Sequence, residues 1–280
     1  MPASDRTPAR PEFADPHVTL YAADLDPSRG FYRDVLGFTE TFRVPRDGVP
    51  DYSELRLGSF RLGIATFDVL ERHHGIRTDR GPPRFEVAFH ANDVDGAYGW
   101  ATSRGAARIK SPYDFLGYIH SACVADPDGN YVSFYTHLPV TTTADPTVRP
   151  TLEDPLFNLY TTDIERALQF YHGLLGGSET FRVPKPGPPS HVEMKLGSLN
   201  LAVSTLEALK RDHGLSGGGG PPRSEVVLSV KDVDAAYAWM CAHGVSSLSS
   251  PHNFGPGLRG AWVADPDGNP VQICHQSAVG

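Results

Sequence analysis

The chain has 280 residues, a formal net charge of −8 and 40% hydrophobic residues, which fits two domains that each bury a core without disulfides. Its basic residues are scattered, which argues against a nucleic-acid partner, and no window is apolar enough to span a membrane or direct secretion. The three cysteines lie far apart without metal-site spacing, so we expect free thiols and a cytoplasmic location.

The first half of the chain is predicted to contain two βαβββ units. A β-prone run at 17–21 precedes a helix that begins at Asp26 and ends at Gly37, and strands are expected near 38–44, 52–57 and 61–67. The pattern restarts with a strand at 85–91, a helix capped by Asp93 and ended by Gly105, and strands near 108, 118–125 and 131–137. Asp128 and Gly129 are typical of the tight turn between the last two strands.

The second half repeats the first at a constant offset. The run Asp-Pro-Asp-Gly-Asn at 126–130 recurs at 265–269, and Glu-Thr-Phe-Arg-Val-Pro at 40–45 recurs at 179–184. Both pairs lie 139 positions apart, which indicates duplication of a whole domain. We therefore predict a disordered tail (1–14), a first domain (15–137), a linker rich in Thr and Pro (138–153) and a second domain (154–277).

Three segments of each copy resemble signatures of the vicinal oxygen chelate superfamily, which includes glyoxalases, bleomycin-resistance proteins and extradiol dioxygenases. In copy one they are Phe-Tyr-Arg-Asp-Val-Leu-Gly-Phe at 31–38, the helix opening at 92–98 and the turn at 126–130. The resemblance implies an α+β fold of two tandem glyoxalase-like domains, each of two βαβββ modules that form a cup-shaped sheet. It does not fix the chemistry, because one fold carries many functions.

The resemblance also implies four ligand positions for a divalent metal in each copy. In copy one they fall on His17, Glu54, Glu86 and Ser133, and in copy two on Leu156, Glu193, Glu225 and Gln272. His17, Glu54 and Glu86 are our candidate ligands, for Fe, Mn, Ni or Zn, or for Mg²⁺. The alternative is a set without metal, in which Glu86 and Glu225 pair with the nearby Arg84 and Arg223. The lack of a histidine set in copy two argues against simple extradiol cleavage.

Three histidines of copy one have no histidine counterpart in copy two. His90, His120 and His137 are therefore our candidate catalytic acids and bases, since histidine exchanges protons near neutral pH. The alternative is that they line a ligand cup without catalysing a reaction. The candidate substrate-binding residues are Phe115, Tyr118, Ser133, Tyr135, Glu193, Glu225, Phe254, Trp262 and Gln272.

Two functions are compatible with this resemblance. The first is a metal-dependent lyase, isomerase or oxygenase whose active cup lies in the N-terminal domain and acts on a small oxygen-bearing molecule. The second is a metal-free protein that binds an antibiotic or an aromatic metabolite, as drug-resistance members of the superfamily do. In both cases we expect a small-molecule ligand, no nucleic-acid or membrane partner, and either a monomer with an internal pseudo-dimer or a homodimer.

Overall fold

The computed structural model describes residues 10–79, 81–140 and 145–277. Most of the predicted tail (1–9) and part of the predicted linker (141–144) lie outside the described residues. The strands of copy one are β1 (Ala14–Ala22), β2 (Thr39–Val44), β3 (Tyr52–Leu57), β4 (Phe60–Thr66), β5 (Phe85–Ala91), β6 (Ala107–Phe115), β7 (Ile119–Ala125) and β8 (Tyr131–His137). Its helices are α1 (Leu25–Gly30, continued by a wider turn at Phe31–Val35), α2 (Phe67–His74) and α3 (Val94–Ser103).

Copy two repeats the same order of elements. Its strands are β9 (Leu152–Thr161), β10 (Ser178–Val183), β11 (His191–Leu196), β12 (Leu199–Thr205), β13 (Ser224–Ser229), β14 (Ser246–Gly255), β15 (Leu258–Ala264) and β16 (Pro270–Gln276). Its helices are α4 (Ile164–Leu168, continued by Gln169–Leu174), α5 (Leu206–Ala208, continued by Leu209–His213) and α6 (Val233–Ala242). Among the described residues, no helix is long and apolar enough to cross a membrane.

Each of the two sheets combines one βαβββ unit from each copy. The first sheet has the strand order β14-β15-β16-β13-β1-β4-β3-β2, and the second has the order β10-β11-β12-β9-β5-β8-β7-β6. The copies meet where β1 pairs antiparallel with β13 and where β5 pairs antiparallel with β9. The predicted α+β fold of four βαβββ units is confirmed. The concave face of each sheet is therefore built by both copies.

Aspartate side chains cap the helices that follow the first strand of each unit. Asp93 accepts a hydrogen bond from the backbone N of Gly96 at 2.9 Å, as predicted. The predicted cap at Asp26 is wrong, because α1 begins at Leu25 and the side chain of Asp24 accepts from the backbone N of Asp26 at 3.2 Å. The matching residue of copy two, Asp163, caps α4 in the same way.

The signature residues of the first helix and of the last turn contact each other in the interior. The Tyr32 hydroxyl donates to Oδ2 of Asp126 at 3.1 Å, and Oδ1 of Asp126 accepts from the backbone N of Asn130 at 2.8 Å. Copy two repeats the contact, with Tyr171 donating to Asp265 at 2.8 Å. Burial raises the pKa of Asp126 to about 6. These residues hold the fold together, which explains why the signatures identify the fold better than the activity.

The repeated arginines join each copy to the turn of the other. Arg84 donates to the carbonyl oxygens of Gly220, at 2.9 Å, and Asp267. Arg223 donates reciprocally to the carbonyl oxygens of Gly81, at 2.8 Å, and Asp128. The alternative in which these arginines neutralise Glu86 and Glu225 is therefore corrected, since both guanidinium groups point along the strand ends to carbonyl oxygens of a turn.

Candidate functional site

The candidate residues are divided between the concave faces of the two sheets. We call the face of the first sheet that carries His17, Glu54, Glu225 and Gln272 the first cup, and the face of the second sheet that carries Glu86, Ser133, Asn158 and Glu193 the second cup. The candidate metal ligands are thus divided, because His17 and Glu54 belong to the first cup and Glu86 to the second. The three do not converge on one point, since their strands lie in different sheets.

Arg61 occupies the space between His17 and Glu54 in the first cup. A terminal nitrogen of its guanidinium lies 3.0 Å from Nε2 of His17, and its Nε lies 3.1 Å from a carboxylate oxygen of Glu54. Burial, and then the charge of Arg61, lower the pKa of His17 to about 3. His17 is therefore a neutral ring whose Nε2 accepts a hydrogen bond from an internal cation.

Protein side chains also fill the rest of the first cup. The ring of His74, at the end of α2, stacks on Trp262 with centroids 3.7 Å apart, and Phe254 packs beside both. The indole nitrogen of Trp262 donates to Glu225 at 2.8 Å. Burial raises the pKa of Glu225 to about 7, and the hydrogen bonds from Tyr21 and Trp262 oppose that rise. A Cβ on Gly260 would meet Phe254 at 2.8 Å and Trp262 at 3.1 Å, so the aromatic packing requires glycine there.

The second cup contains a cavity of about 300 Å³ that both copies line. The candidate residues that reach it are Glu86, Phe115, Tyr118, Ser133, Tyr135, His137 and Glu193. Its walls are mainly apolar, with Phe115 and Ile119 from copy one and Leu156, Phe181 and Leu209 from copy two. Burial raises the pKa of Tyr135 to about 12, so its phenol stays protonated and can donate to a ligand. The composition suits a small molecule with an apolar body and a few polar groups.

Glu86 forms the polar floor of this cavity and is only 9% exposed. Ser133 donates to one carboxylate oxygen at 2.6 Å, and the Asn158 side chain donates to the other at 2.8 Å. Asn158 comes from β9, which pairs with β5 across the boundary between the copies. The floor therefore depends on both halves of the chain.

A chain of hydrogen bonds runs from this floor to the opposite wall. Ser204 donates to Oδ1 of Asn158 at 2.9 Å, and Nδ1 of His191 lies 2.7 Å from the Ser204 hydroxyl. Because Ser204 gives its only proton to Asn158, Nδ1 of His191 is the donor in that contact. Nε2 of His191 lies 3.3 Å from Glu193. This contact places the His191 ring beside the Glu193 carboxylate within the wall.

Two differences between equivalent positions account for the space in the second cup. Trp262 in the first cup corresponds to Cys123 in the second, and Gly260 corresponds to Ser121. Cys123 is buried with Tyr160 and Leu209, and burial raises the pKa of its thiol far above the ordinary value. The volume that the indole fills in the first cup is therefore left open beside Ser121 in the second.

The three candidate catalytic histidines lie in different surroundings. His137 lies at the rim of the cavity, exposed, with its ring stacked on Tyr118 at 6.3 Å between centroids. His90 lies at the end of β5, and Thr136 contacts its Nε2 at 3.4 Å. His120 lies between two carboxylates, 2.6 Å from Asp114 and 3.2 Å from Asp95. Burial would lower the pKa of His120, but these two hydrogen bonds outweigh burial and raise it. Of these three candidates, only His137 lines the cavity.

The donor set of neither cup fits a divalent metal. Within residues 10–79, 81–140 and 145–277, no three His, Cys, Asp or Glu side chains converge closely enough to hold one. In the first cup the guanidinium of Arg61 already takes up the facing atoms of His17 and Glu54. In the second cup Leu156 cannot ligate, and the hydroxyl of Ser133 donates to Glu86.

The family model of the Glyoxalase/Bleomycin resistance protein/Dioxygenase superfamily matches residues 16–134 and again residues 155–273. The chain therefore belongs to this superfamily. It resembles the crystal structure of glyoxalase I from Zea mays with a TM-score of 0.61 and 18% identity, over 92% of this chain and 91% of that one. A candidate dioxygenase from Bacillus subtilis gives a TM-score of 0.56 and 12% identity, over 96% and 86% of the two chains. No curated protein matches the sequence. At these identities the likeness concerns the fold alone.

Several residues of the second cup were not among the sequence candidates. Asn158, His191 and Ser204 complete the hydrogen-bond chain, and Arg61 closes the first cup. An alignment of the two copies at the constant offset could have pointed to some of these residues. Asn158 aligns with Thr19 and His191 with Tyr52, so the residue type differs at both positions. Polar residues that differ between equivalent cup positions mark the places where the two cups diverge.

Proposed function

We propose that the second cup is a metal-free binding site for a small molecule with an apolar or aromatic body. The observation that carries the proposal is the contrast between two equivalent places in one chain. Trp262, His74 and Phe254 fill the first cup, whereas the second keeps a cavity of about 300 Å³. Its apolar walls and buried polar floor are the ordinary features of a ligand pocket.

The metal-dependent lyase or oxygenase considered from the sequence has less support. Such chemistry needs an open coordination position held by several protein ligands. Around the cavity Leu156 offers no donor atom, and in the described part of the chain no three His, Cys, Asp or Glu side chains converge there. A binding protein needs neither feature, so the binding function agrees better with the residues present.

The test uses the neutral fluorescent probe N-phenyl-1-naphthylamine, whose emission rises when it enters an apolar site. The double variant Ser121→Gly/Cys123→Trp gives the second cup the residues that close the first. We expect saturable probe binding to the wild type and at least a tenfold loss of affinity in this variant. The matched control is Ser247→Gly, an exposed position far from the cavity, which should leave binding unchanged.

Two outcomes would contradict the proposal. Equal probe affinity in the wild type and the filled variant would mean that the probe binds elsewhere. Absence of saturable binding at probe concentrations up to the solubility limit would mean that the cavity does not take up apolar molecules. A thermal melt of each variant, compared with the wild type, separates loss of the site from loss of the fold.

A further inference from the structure

The two cups differ in whether the protein supplies its own positive charge. In the first cup Arg61 pairs with Glu54 at 3.1 Å. The equivalent residues of the second cup are Asn200 and Glu193, so the carboxylate is kept while the guanidinium is replaced by a neutral amide. The Asn200 side chain donates instead to the carbonyl oxygen of Pro155 at 3.3 Å. The second cup has therefore lost its internal cation.

Glu86 is a second carboxylate of this cup, and it too has no cationic partner among the described lysines and arginines. It lies nine-tenths buried at the floor of the cavity, and the groups that hydrogen-bond it, Ser133, Asn158 and Tyr160, are neutral. In the described part of the chain, no lysine or arginine lines the cavity, and no ion pair includes Glu86. Burying a carboxylate without a cationic partner is costly, so a positive charge entering the cavity would be favoured there.

The other charged groups of the cavity do not supply that cation. Glu193 has its partner in His191, and Asp212 pairs with Arg211 at 2.7 Å on the exposed side. His213 is the titratable group that faces Glu86, and burial lowers its pKa although the charges of Glu86 and Asp212 oppose that shift. His137 lies at the exposed rim, away from the floor.

We propose that the second cup selects an organic cation, a protonated amine carried on an aromatic or aliphatic body. The ammonium group lies at Glu86, and the body lies between Phe115, Phe181 and Tyr135, whose faces also favour a cation. This inference rests on the proposed binding function and narrows it to one class of ligand. The ligand supplies a positive charge that no described lysine or arginine lining the cavity supplies.

The experiment displaces N-phenyl-1-naphthylamine with three indoles that share a body and differ in charge. Tryptamine is a cation at pH 7, tryptophol is neutral and indole-3-propionate is an anion. We expect tryptamine to displace the probe at a concentration at least tenfold lower than tryptophol, and indole-3-propionate to be weakest. Mn²⁺, Ni²⁺ and Zn²⁺ serve as inorganic cations and should not displace the probe below millimolar concentration.

Two variants locate the charge preference. Glu86→Gln keeps the shape of the floor and removes its charge, so it should bring tryptamine and tryptophol to within about twofold of each other. Glu225→Gln makes the same change at the equivalent position of the first cup and should leave the preference at its wild-type value. Unchanged binding of the neutral probe by Glu86→Gln shows that the variant is folded and that its cavity is open.

The outcomes separate this inference from the proposed function. If the probe binds but tryptophol competes as well as tryptamine, or if Glu86→Gln keeps the tenfold preference, the cation class is overturned and the binding function stands. If displacement by the divalent ions matches that by tryptamine, the cation is inorganic and this inference is overturned. If the probe does not bind at all, both proposals fail together.

Discussion

A guanidinium nitrogen of Arg61 lies 3.0 Å from Nε2 of His17. The other ring nitrogen, Nδ1, lies 3.1 Å from the carbonyl oxygen of Asp15 and donates to it. The neutral ring therefore directs its lone pair at Arg61. A divalent metal in the first cup would need Nε2 of His17 and the carboxylate of Glu54 as ligands. Arg61 contacts both groups and so occupies the place of the metal.

Removal of Arg61 should consequently expose a weak metal site. In Arg61→Met the lone pair of His17 and the carboxylate of Glu54 become available together, so Ni²⁺ or Zn²⁺ should raise the melting temperature more than in the wild type. At a metal concentration 100 times the Kd, the gain is about 2.7 kcal/mol. Thermal melts with metal and with a chelator measure it. The double variant His17→Ala/Arg61→Met should lose the gain, and an equal response of the wild type would contradict the role given to Arg61.

His17 should also make the protein sensitive to acid. Its pKa is about 3 in the folded state and about 6.5 in the unfolded chain, so the unfolded state binds more protons between these values. The contribution of neutral His17 is complete above pH 6.5 and decreases as the pH falls toward 3. Between pH 6.5 and 4.5 we expect the wild type to lose about 2–3 kcal/mol more than His17→Gln, measured by urea unfolding. Parallel curves for wild type and His17→Gln would refute the assignment.

Trp262→Phe should reveal the hydrogen bond to Glu225. Phenylalanine keeps most of the aromatic packing but has no N–H group, so the buried carboxyl loses the donor at 2.8 Å. Tyr21 and Thr19 remain as partners of this carboxyl, so the variant loses one hydrogen bond to it, at a cost of about 1–3 kcal/mol in addition to the lost ring volume. The control is Trp100→Phe, whose indole donates to the backbone oxygen of Val35 at 2.9 Å near the surface. Equal losses in the two variants by urea unfolding would mean that the Glu225 contact contributes nothing specific.

Arg84 and Arg223, which make equivalent contacts between the copies, should contribute about equally to the free energy of unfolding. Arg223→Lys and Arg84→Lys each replace a planar fork that reaches two carbonyl oxygens by a single ammonium group. We expect each variant to lose about 2–3 kcal/mol of unfolding free energy. Arg33→Lys, at an exposed pair with Asp34, should change it by less than about 1 kcal/mol. A loss confined to one of the two buried positions would show that the copies are not equivalent there.

Local patterns were sufficient to predict the strands, the helices α1 and α3 with their repeats α4 and α6, and the duplication, whereas α2 and α5 were not predicted. The alternating strands, the Asp93 cap and the turn at 126–130 are all encoded within a few residues, and the structure confirms them. The cap of α1 was misplaced by two residues because Asp24 and Asp26 both suit the position. Asp163 in copy two resolves the choice, since the residue equivalent to Asp26 is Glu165.

Local sequence patterns could not predict which strands pair across the two copies. β1 can meet either β5 of its own copy or β13 of the other with the same apolar faces, and the structure has β13. For that reason Glu86 was grouped with His17 on the sequence, although its neighbours in space are Asn158 and Ser133. His120 lies away from the cavity because it pairs with Thr136, whereas its neighbour Ser121 pairs with Tyr135 and lines the cavity. Asp95 and Asp114 then hold the His120 ring on that other face.

The joining of both copies in one chain has a consequence for symmetry. In a homodimer of a single copy, a two-fold axis would make the two cups identical, and every substitution would occur in both of them. Here the equivalent positions are encoded separately, so Trp262 can close one cup while Cys123 leaves the other open. Arg61 and Asn200 differ for the same reason. In the duplicated chain the two cups can therefore differ. Its own side chains fill the first cup, while the second keeps a cavity.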